Sequence, residues 1–263
     1  SRSTGIKISK IIPLFISAIS WSAFQRTSSY SSRLKLSTSM AWSCSSSNNK
    51  GLVSNLENAR IFQSSRVREA MLGVDRKHYC PSNPYQDSPQ YIGYNVTISA
   101  PHMHAMCLDA LADRLKPGAR ALDVGSGTGY LTACMAIMVG FSGKAVGVEH
   151  VPQLVEQSIS NIKADGKEYL LSSESLVMIE GDGRKGIAQH GPYDAIHVGA
   201  AAPTIPQALI DQLKPGGRLI IPVGNIMQEL LQIDKNPDGT INQKSITSVR
   251  YVPLTDLSQQ VGK

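Results

Sequence analysis

The stretch Leu122-Asp123-Val124-Gly125-Ser126-Gly127-Thr128-Gly129 constrains this chain more than any other. An apolar run that stops at alternating glycines reads as a buried strand breaking into a tight turn ahead of a helix. Glycine reaches backbone angles closed to other residues, lets the main chain pass close to a ligand, and leaves amides exposed at the helix N-terminus. The alternation continues downstream. Residues 130–139 read as a helix, 145–149 as a second strand and 151–164 as its helix. A third strand over 176–179 ends at Glu180-Gly181-Asp182-Gly183, and a fourth covers 193–198. The fifth, 218–223, follows the turn Lys214-Pro215-Gly216-Gly217. Residues 230–234 and 249–252, on either side of Asn236-Pro237-Asp238-Gly239, predict an antiparallel pair. Strands spaced by helices predict an α/β fold: a doubly wound, mostly parallel sheet with an antiparallel C-terminal strand pair. Ligands of such sheets bind beyond the carboxyl ends of the strands.

Upstream, Leu52, Leu56 and Ala59, then Val67, Met71 and Leu72, fall at helical spacing. Pro81, Pro84 and Pro89 mark an irregular segment before an extended run over 94–99, and 103–115 reads as a further helix. Residues 1–50 differ from the rest. They hold seven Lys or Arg and no acid, against nineteen basic and twenty acidic residues over 51–263, so the net charge of +6 belongs to the N-terminal segment. The body lacks the charge excess of a dedicated nucleic-acid binder, and none is expected as a partner. The division predicted is a targeting-like or disordered segment, 1–50, ahead of one domain, 51–263. An Arg- and Ser-rich, acid-free start fits an organellar transit peptide, plastid or mitochondrial. The transit peptide is the leading reading; a secretory segment, from the apolar run 11–21 behind Lys7 and Lys10, and an untargeted disordered tail are the two lesser ones. Met40 offers an internal start, so a form beginning there is expected in the cytoplasm. No stretch reaches the ~20 apolar residues of a membrane-spanning helix, and a monomer is expected. The four cysteines, far apart in sequence, predict reduced structural thiols.

Two nucleoside cofactors compete for the glycine turn. Glu149 ends the second strand 20 residues after Gly129, where an acid accepts ribose hydroxyls, and Asp182 ends the third, placed for an adenine amino group. A dinucleotide turn, Gly-x-Gly-x-x-Gly, would need glycine where this chain has Tyr130. Asp123 sits poorly beside a pyrophosphate but well beside a cationic sulfonium. The expected cofactor is therefore S-adenosyl-L-methionine, and the fold class a class I S-adenosylmethionine-dependent methyltransferase.

Further motifs narrow the class. They are Asp87-Ser88-Pro89-Gln90, Thr97-Ile98-Ser99-Ala100-Pro101-His102-Met103-His104 and Gly181-Asp182-Gly183. With them come the run from Tyr193 to Pro203, Leu213-Lys214-Pro215-Gly216-Gly217-Arg218-Leu219 and Val252-Pro253-Leu254-Thr255. Over residues 40–256 the chain resembles the protein-L-isoaspartate (D-aspartate) O-methyltransferase family. The resemblance implies methylation of the free carboxyl of L-isoaspartyl and D-aspartyl residues in damaged proteins and peptides, with repair through a succinimide. It implies Ser99 as the active-site residue, and it implies that Val96, Thr97, Ile98 and Ser99 close over the cofactor with His104 nearby. Asp123, Gly125, Gly127 and Thr128 of the turn, with Glu149, Gly181 and Asp182, would hold the cofactor, and Thr255 would line the same cleft.

The chemistry suits these residues. The acceptor carboxylate is already ionised at neutral pH, so no strong base is needed. What is needed is a carboxylate oxygen held in line with the methyl group, and water excluded. Ser99 can orient the carboxylate by a hydrogen bond; on geometry alone it could instead cap the helix near Pro101. His102 and His104 form a two-residue metal-like spacing without a third ligand, and no metal is expected. Asn83-Pro84-Tyr85 is only faintly similar to the Asn-Pro-Pro-Tyr of amino-methylating nucleic-acid enzymes, lacks a proline, and reads as a turn. His150 and His197 read as satisfied polar residues at strand ends.

Overall fold

The computed structural model describes residues 44–261. The targeting segment and the Met40 start expected from the sequence lie outside the described residues. Residues 44–50, grouped above with that segment, pack with the body: Cys44 is buried and the Ser46 amide donates to the Tyr85 carbonyl. Asn48 opens helix α1 (Asn49–Asn58) by accepting the Gly51 amide on its side chain at 2.9 Å. Helix α2 (Ser65–Gly73) follows, then a single 3-10 turn at Arg76–His78.

A hairpin comes next, β1 (Gln90–Gly93) and β2 (Val96–Ile98), and then α3 (Pro101–Leu111). The sequence predicted one extended run over 94–99 instead. Tyr94 and Asn95 take φ of 53° and 57°, the backbone hand a two-residue hairpin loop requires. Tyrosine rarely adopts that conformation, so the residue type gave no signal.

The sheet is built from β3 (Arg120–Val124), α4 (Tyr130–Val139), β4 (Lys144–Glu149), α5 (Pro152–Ala164), the short α6 (Glu168–Ser172) and β5 (Leu176–Glu180). It continues through β6 (Tyr193–Val198), α7 (Gln207–Asp211), β7 (Leu213–Val223), β8 (Gln228–Lys235) and β9 (Ile241–Val249). The strand order is β5-β4-β3-β6-β7-β8-β9, parallel from β5 to β7 and antiparallel from there. Alternate residues of each strand feed two cores. Ala121, Ala145 and Ala195 lie side by side on one face, while Leu122, Val146 and Ile196 lie on the other. The row of small side chains admits α4 closely. That helix is apolar around nearly its whole circumference, as a helix must be when the sheet lies beneath it and α2 covers it.

The antiparallel end differs from the expectation. The last strand is β9, at 241–249, not 249–252. It is an edge strand of mostly polar, exposed residues, so no apolar alternation marks it, and Lys244 with its neighbours suits an edge that must not recruit another chain. The predicted turn 214–217 lies inside β7. Tyr193 pairs with Leu213 and Ala195 with Arg218, so the glycines form a bulge rather than the strand's start.

Candidate functional site

The glycine turn emerges at the carboxyl end of β3. Gly125, Gly127 and Gly129 take φ of 72°, 51° and 87°, so each occupies the left-handed region. Gly129 also packs against α5, where an added Cβ would lie 3.0 Å from Ser158 Cβ. Glu149, at the end of β4, braces this turn. Its Oε2 accepts the Gly127 amide at 3.0 Å, and its Oε1 accepts the His150 and Val151 amides at 2.8 and 3.1 Å. The carboxylate is nearly buried, and three of its roughly four acceptor sites are taken by backbone. One remains on the cleft side.

Asp123 is not a bare charge facing the cleft. Its Oδ2 accepts the Thr132 hydroxyl at 2.6 Å and its Oδ1 the His197 Nδ1–H at 2.8 Å. The two residues are register partners on β3 and β6. Burial alone would lower the His197 pKa, but the hydrogen bond to Asp123, with Cys107 close by, outweighs it and raises the value to about 10. His197 is thus an imidazolium, and its Nε2, buried without a partner, belongs to the cleft wall.

The cleft itself, ≈ 810 Å³ and open to solvent, is floored by the glycine turn and the ends of β4 and β6. Its roof comes from two segments distant in sequence: the β1–β2 hairpin with the start of α3, and residues 252–260. The roof pieces are tied together and to the floor. Asn95 Nδ2 donates to the Gln260 carbonyl at 2.8 Å, and the Gln260 side chain meets His150 Nε2 at 3.1 Å. Ile92 from β1 sits directly over Gly127, 3.3 Å from where a Cβ would be.

Ser99 lies in the roof, just before α3. The helix's N-cap is Ala100, and no side chain caps it, so the capping alternative for Ser99 does not hold. Its carbonyl accepts Arg76 Nη2 at 2.6 Å, leaving the hydroxyl to the cleft and the nearby Tyr251 phenol. His104, one turn into α3, accepts Arg76 Nη1 on its Nδ1 at 3.1 Å. Burial first and the Arg76 charge second hold the His104 pKa well below the ordinary histidine value. His102 faces elsewhere, donating from Nδ1 to Asp87 Oδ1 at 2.8 Å. The His102–His104 spacing is therefore divided between two separate networks.

Of the residues singled out by sequence, Val96, Thr97, Ile98, Ser99, His104, Asp123, Gly125, Gly127, Thr128, Glu149, Asp182 and Thr255 all line this cleft. Gly181 does not. Its amide extends the β4–β5 ladder to the Glu149 carbonyl at 3.0 Å, and Gly183 lines the cleft in its place. Asp182 is held below the usual carboxyl range chiefly by hydrogen bonds from Arg184, which also reaches Asp256 Oδ1 at 2.5 Å. The Thr255 hydroxyl is donated to Gln259 rather than to the cleft. Arg76, Tyr130, Ile92 and Gln260 were missed. His197, read from the sequence as a satisfied residue at a strand end, instead lines the cleft with its Nε2 unpartnered. Arg76 had no signal in the sequence.

A doubly wound sheet with a glycine turn after its first parallel strand, and acids ending the second and third, defines a class I S-adenosylmethionine-dependent methyltransferase fold. The profile of the protein-L-isoaspartate(D-aspartate) O-methyltransferase family matches residues 47–259. The chain is 61% identical over 223 residues to protein-L-isoaspartate O-methyltransferase 1 of Arabidopsis thaliana, covering 84% of this chain and 97% of that one. It is 54% identical to the Caenorhabditis elegans protein-L-isoaspartate O-methyltransferase, covering 84% and 98%. A solved Plasmodium falciparum chain, described as a beta-aspartate methyltransferase (PCMT) in complex with S-adenosyl-L-homocysteine, superposes with a TM-score of 0.74. It shares 41% identity, over 80% of this chain and 99% of that chain. This chain belongs to the protein-L-isoaspartate(D-aspartate) O-methyltransferase family.

Proposed function

We propose that the protein transfers a methyl group from S-adenosyl-L-methionine to the free carboxyl of L-isoaspartyl and D-aspartyl residues in damaged proteins and peptides. The ester so formed closes to a succinimide, from which some normal aspartate is recovered. The residues present fit the cofactor on their own chemistry. Ser126 Oγ, Thr128 Oγ1 and His197 Nε2 are buried, without partners, and line one cleft, which supports a polar ligand seated among them. Bound there, the cofactor supplies a methyl group activated by a sulfonium. Gly125, Gly127 and Thr128 hold the backbone close to it, the free acceptor site of Glu149 takes a ribose hydroxyl, and Asp182 takes the adenine amino group.

The observation that carries the substrate assignment is the Ser99 hydroxyl, released from capping and placed on the roof across from the glycine turn. It donates to one oxygen of the incoming carboxylate and aims the other, already ionised, at the methyl group. Thr97 and Val96 bound the approach, and Ile98, nearly buried, helps keep water out. Incubation with labelled cofactor and matched peptides tests the assignment: label should enter the isoaspartyl peptide and not the aspartyl one. Equal labelling of both, or of neither, refutes it.

We assign catalysis to the packed body, as a monomer that takes no nucleic acid. Its described residues include no helix long and apolar enough to cross a membrane. Residues 1–39 serve as an organellar targeting segment of the longer form, while a form starting near Met40 remains in the cytoplasm. A reporter fused to residues 1–39 should leave the cytosol; a diffuse signal counts against the segment.

A further inference from the structure

Behind the roof of the cleft lies a charge that is not itself part of the cleft lining. Arg76 is wholly buried, in the 3-10 turn after α2. A guanidinium keeps its proton even there. Among the described residues no carboxylate comes within ion-pair distance of it; its partners are neutral. Nη2 donates to the Ser99 carbonyl at 2.6 Å, Nη1 donates to His104 Nδ1 at 3.1 Å, and the guanidinium carbon stands 5.2 Å from the Tyr130 ring centroid. His104 in turn lies against Tyr130, 5.1 Å between centroids. A buried cation spent on a carbonyl, an imidazole and an aromatic face is costly unless that arrangement serves something.

We infer that Arg76 is a positioning residue for methyl transfer: it fixes the Ser99 main chain and sets His104 as a neutral imidazole that offers Nε2–H to the cleft. The inference rests on the methyltransferase reading of the cleft. Arginine has only donors, so the His104 nitrogen it meets must carry the lone pair, and the ring proton must sit on Nε2. His104 lines the cleft, and Nε2 is the ring atom left to face it. The same guanidinium therefore sets two cleft groups at once, the backbone that aims the Ser99 hydroxyl and the donor on His104. Small displacements of such groups are what slow an in-line transfer. The groups that bear on His104 are Arg76, His197 and His102, with the Tyr130 ring alongside. The nearby cations oppose a second proton on His104, so its donor face stays neutral.

The test begins on the unaltered protein. Long-range 1H–15N spectra, with His104 assigned by comparison with His104→Gln, should show the Nε2–H tautomer and no protonation from about pH 8 down to about pH 5.5. An Nδ1–H tautomer, or an imidazolium in that range, overturns the inference whatever the activity. With an isoaspartyl peptide, Arg76→Met should lower kcat by about tenfold to 100-fold, more than it raises KM, and let His104 protonate at higher pH. Arg76→Lys keeps the charge but can reach only one of the two partners, and should recover part of kcat. A kcat within about twofold of the parent in either variant refutes the positioning role. Should the Met variant fail to fold, the parent spectrum and the Lys variant still decide. Failure of the methyltransferase reading shows separately, as absence of transfer by the parent.

Discussion

Replacing Glu149 with glutamine separates two jobs that the structure assigns to one carboxylate. Oε1 accepts two amides, from His150 and Val151, while Oε2 accepts one, from Gly127, and keeps a free site towards the cleft. The amide oxygen of Glu149→Gln must take the Oε1 place, because the alternative would set an NH2 group against two N–H donors. The new NH2 then replaces Oε2. It faces the Gly127 amide donor to donor and has no lone pair for a ribose hydroxyl. A hydrogen bond to a charged acceptor is worth about 1.5–3 kcal/mol. One such loss falls on folding, through Gly127, and one on binding, through the ribose. The binding loss corresponds to a dissociation constant about 10-fold to 150-fold higher.

Titration calorimetry with S-adenosyl-L-homocysteine reads the second number, and urea unfolding without ligand reads the first. Glu149 is 5% exposed, so the binding loss should persist when salt is added. If stability falls by the expected amount while the dissociation constant stays within about twofold, Glu149 only braces the turn and the ribose assignment is wrong. If neither changes, the hydrogen-bond reasoning itself fails.

Ser99→Ala should slow methyl transfer by about tenfold or more while S-adenosyl-L-homocysteine affinity stays within about threefold, since one orienting bond is lost and no cofactor contact; an unchanged kcat would remove Ser99 from the reaction. The raised His197 pKa carries a sign that can be checked. Its stabilising contribution is complete below the unfolded value of about 6.5 and is lost as pH rises through the folded value of about 10. Urea unfolding from about pH 6 to about pH 10 should therefore show stability falling in the parent and a flatter profile in His197→Gln, and parallel profiles would contradict the ion pair. Gly129→Ala should cost about 1–2 kcal/mol for its left-handed backbone alone, with the contact on Ser158 added; a urea midpoint equal to the parent's would mean that α5 gives way freely.

The parallel half of the sheet was legible because its central strands β3, β4 and β6 are buried on both faces and announce themselves as continuous apolar runs between turn residues. Helix α4 and strand β6 run over 130–139 and 193–198, as the sequence predicted. The edge strand β9 and the β1–β2 hairpin were not legible, for the same physical reason in reverse. One is held by backbone pairing with polar side chains outward, and the other turns on a tyrosine and an asparagine in conformations that their types do not announce. The floor of the cleft could be read because it is local: glycines and acids at fixed distances along the chain. The roof was legible only through the family resemblance, which implied Val96 to Ser99, His104 and Thr255. Ile92 and Gln260 reach the cleft through contacts between distant segments, such as Asn95 to Gln260, and left no local mark.

Asp123 and Tyr130 change meaning once these contacts are known. Asp123 reads in the sequence as a negative charge suited to a sulfonium, but His197 and Thr132 already take its two oxygens. The pair is close to neutral as a unit, so bare attraction from Asp123 contributes little to cofactor choice. Tyr130 carries more of that choice. It stands where a dinucleotide turn needs its last glycine, and its buried ring is the surface on which His104 and the Arg76 guanidinium rest. A glycine there would permit the closer helix approach that a pyrophosphate site requires, and would remove the support of the Ser99–His104 roof in the same step. The residue that argues against a dinucleotide is thus the one on which the methyl-acceptor side of the cleft is built.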